Sequence, residues 1–344
     1  MKISYNKHIL EFITPAGTSR SILHSNTVWI IRIEEKGRVG YGECNPLEGL
    51  SLDHSDDFEL TLNNFISGFE KGGQLKMDVL RDFPAMKFAF ESALLDMNTN
   101  GRMILFPSDF TRGERSIPIN GLLWMGAKEY MLEQLGKKLE EGFSCIKMKI
   151  GAIDFQHEID VLTEIRKNYS AADIEIRVDA NGAFKAEEAL DKLKILSSFD
   201  IHSIEQPIAV GQWKEMKYLC ENSPISIALD EELIPLRDKK DRLDMITMVN
   251  PDYIILKPSL LGGFEDCDEW IDIAERSGVK WWITSALESN VGLNAIAQYS
   301  YAKGVTMPQG LGTGGLYSNN YPSPLYISNG NLFYDPQKSW ENLS

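Results

Sequence analysis

Cysteine is scarce and scattered. Cys44, Cys145, Cys220 and Cys267 form no Cys-x-x-Cys pair and show no metal-type spacing, so neither a disulfide framework nor a structural zinc site is expected. Reduced thiols and a cytoplasmic setting are the expectation. Long apolar runs are missing: none approaches the roughly 20 residues that span a bilayer. Met1–Phe12 mixes polar and apolar residues and lacks a signal-peptide core. There is no heptad array and no low-complexity tract. Positive charge is in deficit, with 35 Lys and Arg against 50 Asp and Glu for a net charge of −15. Such a surface argues against nucleic acid and anionic membranes as partners. It leaves open a small anionic substrate, because a local cationic pocket can override the global sign. Oligomeric state is not legible. Histidine is also rare; the five are His8, His24, His54, His157 and His202.

What is present is core-forming material: 344 residues, 43% of them hydrophobic, enough for two domains or one large barrel. Residues 1–110 read as an α+β unit. Thr27–Glu34 alternates and is rich in Val, Ile and Trp, Lys36-Gly37 makes a turn, and Arg38–Glu43 returns as a second strand. Cys44–Ser51 contains Pro and Gly without periodicity and reads as a loop. Phe58–Phe69 and Ala85–Met97 read as helices, the second apolar enough to be buried.

After a polar link near Thr111–Glu114 the pattern changes, and residues 111–315 alternate short apolar runs with amphipathic helices. The runs are Ile117–Leu122, Cys145–Ile150, Glu175–Asp179, His202–Glu205, Ser226–Asp230, Tyr253–Lys257, Lys280–Ser285 and Val305–Gln309. Helical spacing between them is plain in Phe155–Tyr169, Ala186–Phe199 and Phe264–Arg276. Eight strands with crossover helices predict a parallel β/α barrel, with an open doubly wound sheet as the alternative. Residues 316–344 lack periodicity and are expected to run back over the first unit.

Barrel enzymes carry their chemistry at the C-terminal ends of the strands. The last polar residues of successive runs are Lys149, Asp179, Glu205, Asp230, Lys257 and Ser285, at steps of 30, 26, 25, 27 and 28 residues, about one βα unit each. In a closed barrel they converge on one mouth. Asp179, Glu205 and Asp230 on adjacent strands, with no histidine or cysteine among them, suit a hard cation such as Mg²⁺, with Mn²⁺ as an alternative. Lys147 and Lys149 share a strand face. Mutual repulsion and burial would both lower a lysine pKa there, and a lysine so tuned can act as a base. The bland reading of each residue taken singly is a solvated charge or a helix N-cap; the ordered set of five is hard to obtain by chance.

Lys-x-Lys, Asp-Ala-Asn, Glu-Gln-Pro, Asp-Glu and Lys-Pro-Ser, at Lys147, Asp179, Glu205, Asp230 and Lys257, resemble the enolase superfamily in its muconate-lactonizing-type branch. The resemblance covers essentially the whole chain. It implies a modified (β/α)8 TIM-type barrel with an α+β capping domain, in which the proton alpha to a carboxylate is removed and the resulting enediolate is stabilised by Mg²⁺. It assigns Asp179, Glu205 and Asp230 as metal ligands, with Asn181 and Glu231 behind them. Lys149 becomes the acid/base, Lys147 its tuning partner and Lys257 the group on the opposite face. No histidine ends a late strand, as a mandelate racemase-type base would. No Asp-x-Asp stands at the last strand, as a dipeptide epimerase would have; Gln309–Gly315 stands there instead.

Three stretches, Gly42–Ser51, Ser285–Leu293 and Gly310–Asn320, are similar to those of the o-succinylbenzoate synthase family of menaquinone biosynthesis. That likeness implies a lyase that dehydrates 2-succinyl-6-hydroxy-2,4-cyclohexadiene-1-carboxylate to 2-succinylbenzoate on one face of the ring. The succinyl tail is then expected near Pro46, Leu47, Gly49, Ser51, Ser285, Gly312, Thr313 and Gly314. Arg177, facing inward by alternation, either meets substrate charge or pairs with a neighbouring carboxylate. Gly310, Gly312 and Gly315 match a dinucleotide fingerprint, but no βαβ unit follows them, and tight turns at a barrel mouth explain them better. The rival readings are an N-acylamino acid racemase or a muconate-type cycloisomerase on the same residues, and, from another class, a non-catalytic binding barrel, which would lack a ligand or a lysine.

Overall fold

The computed structural model describes residues 1–17, 22–70, 77–151, 153–341 and 343. The chain opens with an antiparallel sheet of β1 (Lys2–Gly17), β2 (Ile22–Glu35) and β3 (Arg38–Cys44), with β2 in the middle. β2 and β3 lie where the alternation predicts strands. β1 gives no such signal because it is an edge strand, on which, among the described residues, only Ile3, Leu10 and Ala16 are buried. β2 is apolar on both faces. Trp29, Ile31 and Ile33 pack against α1 (Phe58–Glu70) and α2 (Pro84–Met97), while Val28 and Ile30 meet Val291, Tyr317 and Tyr321 on the other side. The close seat of α2 on β3 requires Gly40 and Gly42. A β-carbon on either would lie 2.0 Å from the carbonyl oxygen of Ala93 or Ala89.

The second body is a curled parallel sheet of β5 (Gly121–Leu123), β6 (Cys145–Lys149), β7 (Glu175–Asp179), β8 (Ile201–Glu205), β9 (Ser226–Leu229), β10 (Tyr253–Leu256) and β11 (Lys280–Ile283). The helices are α3 (Lys128–Glu140), α4 (Phe155–Asn168), α5 (Ala186–Leu196), α6 (Trp213–Asn222), α7 (Lys239–Val249), α8 (Pro258–Leu261), α9 (Phe264–Arg276) and α10 (Asn290–Ala302). Neighbouring strands follow chain order without reversal. A doubly wound sheet reverses at a switch point, so that alternative is excluded and the architecture is a modified (β/α)8 barrel.

Two expected strands change form. Val305–Gln309 is not a strand; the circle is completed by single bridges, Ile119 to Gln309 and Thr284 to Gly310. Pro308 has no N–H to give a ladder. The buried side chain of Gln309 takes over, accepting from the Ile283 amide at 2.7 Å and donating to the Met307 carbonyl at 2.7 Å. The run Ile117–Leu122 divides at Pro118. β4 (Ile117–Pro118) leaves the barrel to pair with the second strand of a late hairpin, β12 (Leu325–Ser328) and β13 (Asn331–Tyr334). That hairpin has a readable cue, the Asn329-Gly330 turn with both φ positive (47° and 66°). Upstream of it, Ser318 donates its backbone N–H to the Glu11 carbonyl, and Phe12 packs on Tyr317.

Glu91 of α2 accepts the N–H groups of Phe264 and Glu265, capping α9 from the first body. Burial raises its carboxyl from 4.5 to about 7, against the pull of those amides and Lys87. A carboxyl raised on folding contributes stability that is whole below its unfolded value and is lost as pH climbs through the folded one. Glu91→Gln should remove this dependence. The unfolding free energy of wild type minus variant, from urea titrations, should fall by up to about 3 kcal/mol between about pH 4.5 and pH 8.

Candidate active site

Strand alternation sets the mouth. On β6, Ile146 and Met148 are buried among helices, while Lys147 and Lys149 point inward to a cavity of about 370 Å³. In register beside them, Lys149 pairs with Asp179 on β7, and Asp179 with Glu205 on β8. Asp230 follows β9 and Lys257 follows β10. Asp179, Glu205 and Asp230 are buried, and a carboxylate oxygen from each lies within 4.8 Å of the others.

The lysines neutralise this trio from two sides. Lys147 donates to Asp179 at 2.9 Å and to Glu205. Lys149 donates to Asp179 at 2.7 Å and to the Asn181 side chain at 2.8 Å. Lys257, four strands further round, donates to Asp230. Asn181 in turn donates to Glu231 at 2.9 Å. Burial disfavours the Lys147 cation, yet Asp179, Glu205 and Asp230 outweigh it and hold its pKa above the ordinary value. This corrects the expectation of a lowered value: the adjacent carboxylates dominate over the neighbouring ammonium. Lys257 is raised in the same way, burial being outweighed by Asp230. Burial pushes Glu205 up to about 7 despite Lys147. Asp179, between two lysines, lies well below the carboxylate range although burial opposes this.

Gln206 supports the trio, and only its place in Glu-Gln-Pro hints at it in the sequence. It is fully buried, accepts the Asp230 and Glu232 amides at 3.2 Å each, and donates to the Glu232 carboxylate at 3.1 Å. It thereby ties the end of β8 to the residue carrying the third acid.

Leu47 and Gly49 roof the cavity, and Ser285, Gly312 and Thr313 wall it, with Lys257, Asn181 and Glu231 also exposed to it. Four expected residues lie outside this lining. Pro46 faces a smaller polar cavity behind the loop, near Lys7 and His54. Ser51 bonds Asp53 at 3.0 Å. Gly314 turns its carbonyl to Asn320. Arg177 is buried below the mouth, pairing with Glu175 at 2.8 Å and stacking over Trp282. Lining residues not anticipated include Leu23, Asn120, Trp124, Thr284 and Leu287. Leu23 and Thr284 offer no local signal, because chain segments far apart bring them there.

The chain belongs to the enolase superfamily: residues 130–332 match the family described as enolase C-terminal domain-like. Within it, the o-succinylbenzoate synthase of Desulfotalea psychrophila is 48% identical, over 96% of this chain and 98% of that protein. The crystal structure titled MenC from the same organism superposes with a TM-score of 0.88 at 44% identity, covering 97% of this chain and 99% of the other. An L-Ala-D/L-Glu epimerase of Thermotoga maritima is 27% identical, over 88% of each.

The acids fit a divalent cation. All donors are oxygens, they converge, and Asp230 Oδ1 is buried without a hydrogen-bond partner. Adding Mg²⁺ to EDTA-treated protein should raise its stability by about 2.7 kcal/mol at a hundredfold excess over Kd. Asp230→Asn should lose most of that gain, and calorimetric titration should show weakened Mg²⁺ binding.

Proposed function

We propose that this protein is an o-succinylbenzoate synthase, a lyase that removes water from 2-succinyl-6-hydroxy-2,4-cyclohexadiene-1-carboxylate to give 2-succinylbenzoate in menaquinone biosynthesis. The observation that carries the reading is the buried acidic trio with Lys149 on one flank and Lys257 on the other. The likeness to the Desulfotalea psychrophila enzyme supports this activity over others on the same barrel.

Asp179, Glu205 and Asp230 would hold Mg²⁺, which when bound offsets the acidic charge and stabilises negative charge on a substrate carboxylate. Lys149 takes the proton alpha to that carboxylate. The same amine then returns it to the departing hydroxyl, so the C–H and C–O bonds break on one face and water leaves as the ring becomes aromatic. Lys257, held by Asp230, faces the developing anion from across the mouth and can lie over the ring. Asn181 orients the Lys149 amine. Leu47 and Gly49 cover the succinyl tail, with Ser285 and Thr313, whose hydroxyls lie 2.8 Å apart, at its polar end. Lys149→Ala should lower kcat by about a thousandfold or more in a spectrophotometric assay of aromatisation, with folding and Mg²⁺ binding intact; near-normal turnover would refute the role.

Amines on opposite flanks also suit proton exchange on both faces of an N-acylamino acid. We infer that any such racemisation is secondary. Deuterium wash-in at the α-carbon of N-succinyl-phenylalanine in D2O should be much slower than dehydration, and a faster wash-in would invert the order of the two readings.

A further inference from the structure

The roof and wall of the cavity come from opposite ends of the sequence, and buried hydrogen bonds lock them together. Glu43, at the end of β3, is fully buried and accepts the Ser289 and Gly292 amides at 2.8 Å each together with the Ser289 hydroxyl. It thus caps α10. Two residues later Asn45, also fully buried, donates to the Ala286 carbonyl at 2.9 Å. Asn26 on β2 donates to the Asn45 side-chain oxygen at 3.0 Å and to the Leu287 carbonyl at 2.9 Å. The Tyr317 hydroxyl gives that carbonyl a second bond at 2.6 Å. Leu287 sits at φ 64°, a left-handed conformation that costs a leucine about 1–2 kcal/mol and persists only where its surroundings enforce it. Leu287 and Ser285 line the cavity, as do Leu47–Leu50, but Asn45 stands between these two segments and does not line it.

We propose that Asn45 is a positioning residue that fixes the Ser285–Leu287 wall against the Leu47–Leu50 roof, and so sets how tightly the enzyme holds the part of its substrate remote from the lysines. This rests on the dehydratase reading of the cavity. Asn45 touches neither the acids nor the lysines, so its loss acts on binding and spares proton transfer. A second, smaller deletion is Tyr317→Phe, which removes one hydroxyl, takes from the Leu287 carbonyl one of its two donors and removes a contact with Asn26.

The test uses the full chain with saturating Mg²⁺ and compares wild type, Asn45→Ala and Tyr317→Phe. Each variant should raise KM for the cyclohexadiene carboxylate, by about tenfold for Asn45→Ala and less for Tyr317→Phe, since a buried hydrogen bond is worth about 1–1.5 kcal/mol. Turnover at saturation should stay within about threefold, and Mg²⁺ affinity should not move, a split that general loosening of the fold would not produce. Hydrogen exchange should quicken at Ala286–Val291 and not in α4 to α7. Unchanged KM in both variants, or a fall in kcat with KM constant, overturns the proposal. Should wild type fail to dehydrate the substrate, the dehydratase reading falls by itself. The exchange data then decide the coupling, and unchanged protection at Ala286–Val291 in both variants refutes it.

Discussion

Three carboxylates gathered within 4.8 Å of one another and sealed from water form the constraint to which the rest of the mouth answers. Any one of them buried without a counter-charge would cost several kcal/mol, and their mutual repulsion adds to that. The chain meets this with three amines, two from β6 and one following β10, placed so that each acid has a cationic neighbour. Gln206 then fixes where the third acid sits relative to the second. The inward face of the barrel is therefore electrostatically committed at its upper end, while the face toward the helices is Ile, Val, Leu and Met. Catalytic potential and folding stability draw on the same charges.

The barrel and its trio were legible because each βα unit announces itself locally: an apolar run, one polar residue at its end, then helical spacing. Lys149, Asp179, Glu205, Asp230 and Lys257 follow from that rhythm alone. Features decided by partners elsewhere in the chain were less legible. β1 has an edge strand's mixed composition. The eighth strand dissolves because Pro308 withholds its amide, and a glutamine side chain does the ladder's job. The hairpin at Asn329-Gly330 was readable, but the surrounding Tyr, Asn and Pro hid it. Alternation correctly turned Arg177 inward, yet depth along the strand, which the pattern does not carry, decides that it meets Glu175 and Trp282 well below the cavity. The Lys147 shift went the other way from expectation because a count of like charges on one strand omits the acids at the ends of the next three.

The cavity belongs to neither body alone. Acids of the first 100 residues cap helices of the barrel, the buried Glu43 on α10 and the half-buried Glu91 on α9, while Phe88 of α2 packs edge-on against Phe264. Helix N-termini attract carboxylates, so the same device is used twice to join the units, and one of these joints adjoins the segment that walls the cavity.

The late hairpin has a further consequence. β4 near residue 117 finds its partner only near residue 331, and β1 near residue 11 is bonded from residue 318. Such distant pairings are slow to form and come late. During synthesis β4 stays bonded to water, and β1 lacks its last added bond, until these late segments have left the ribosome.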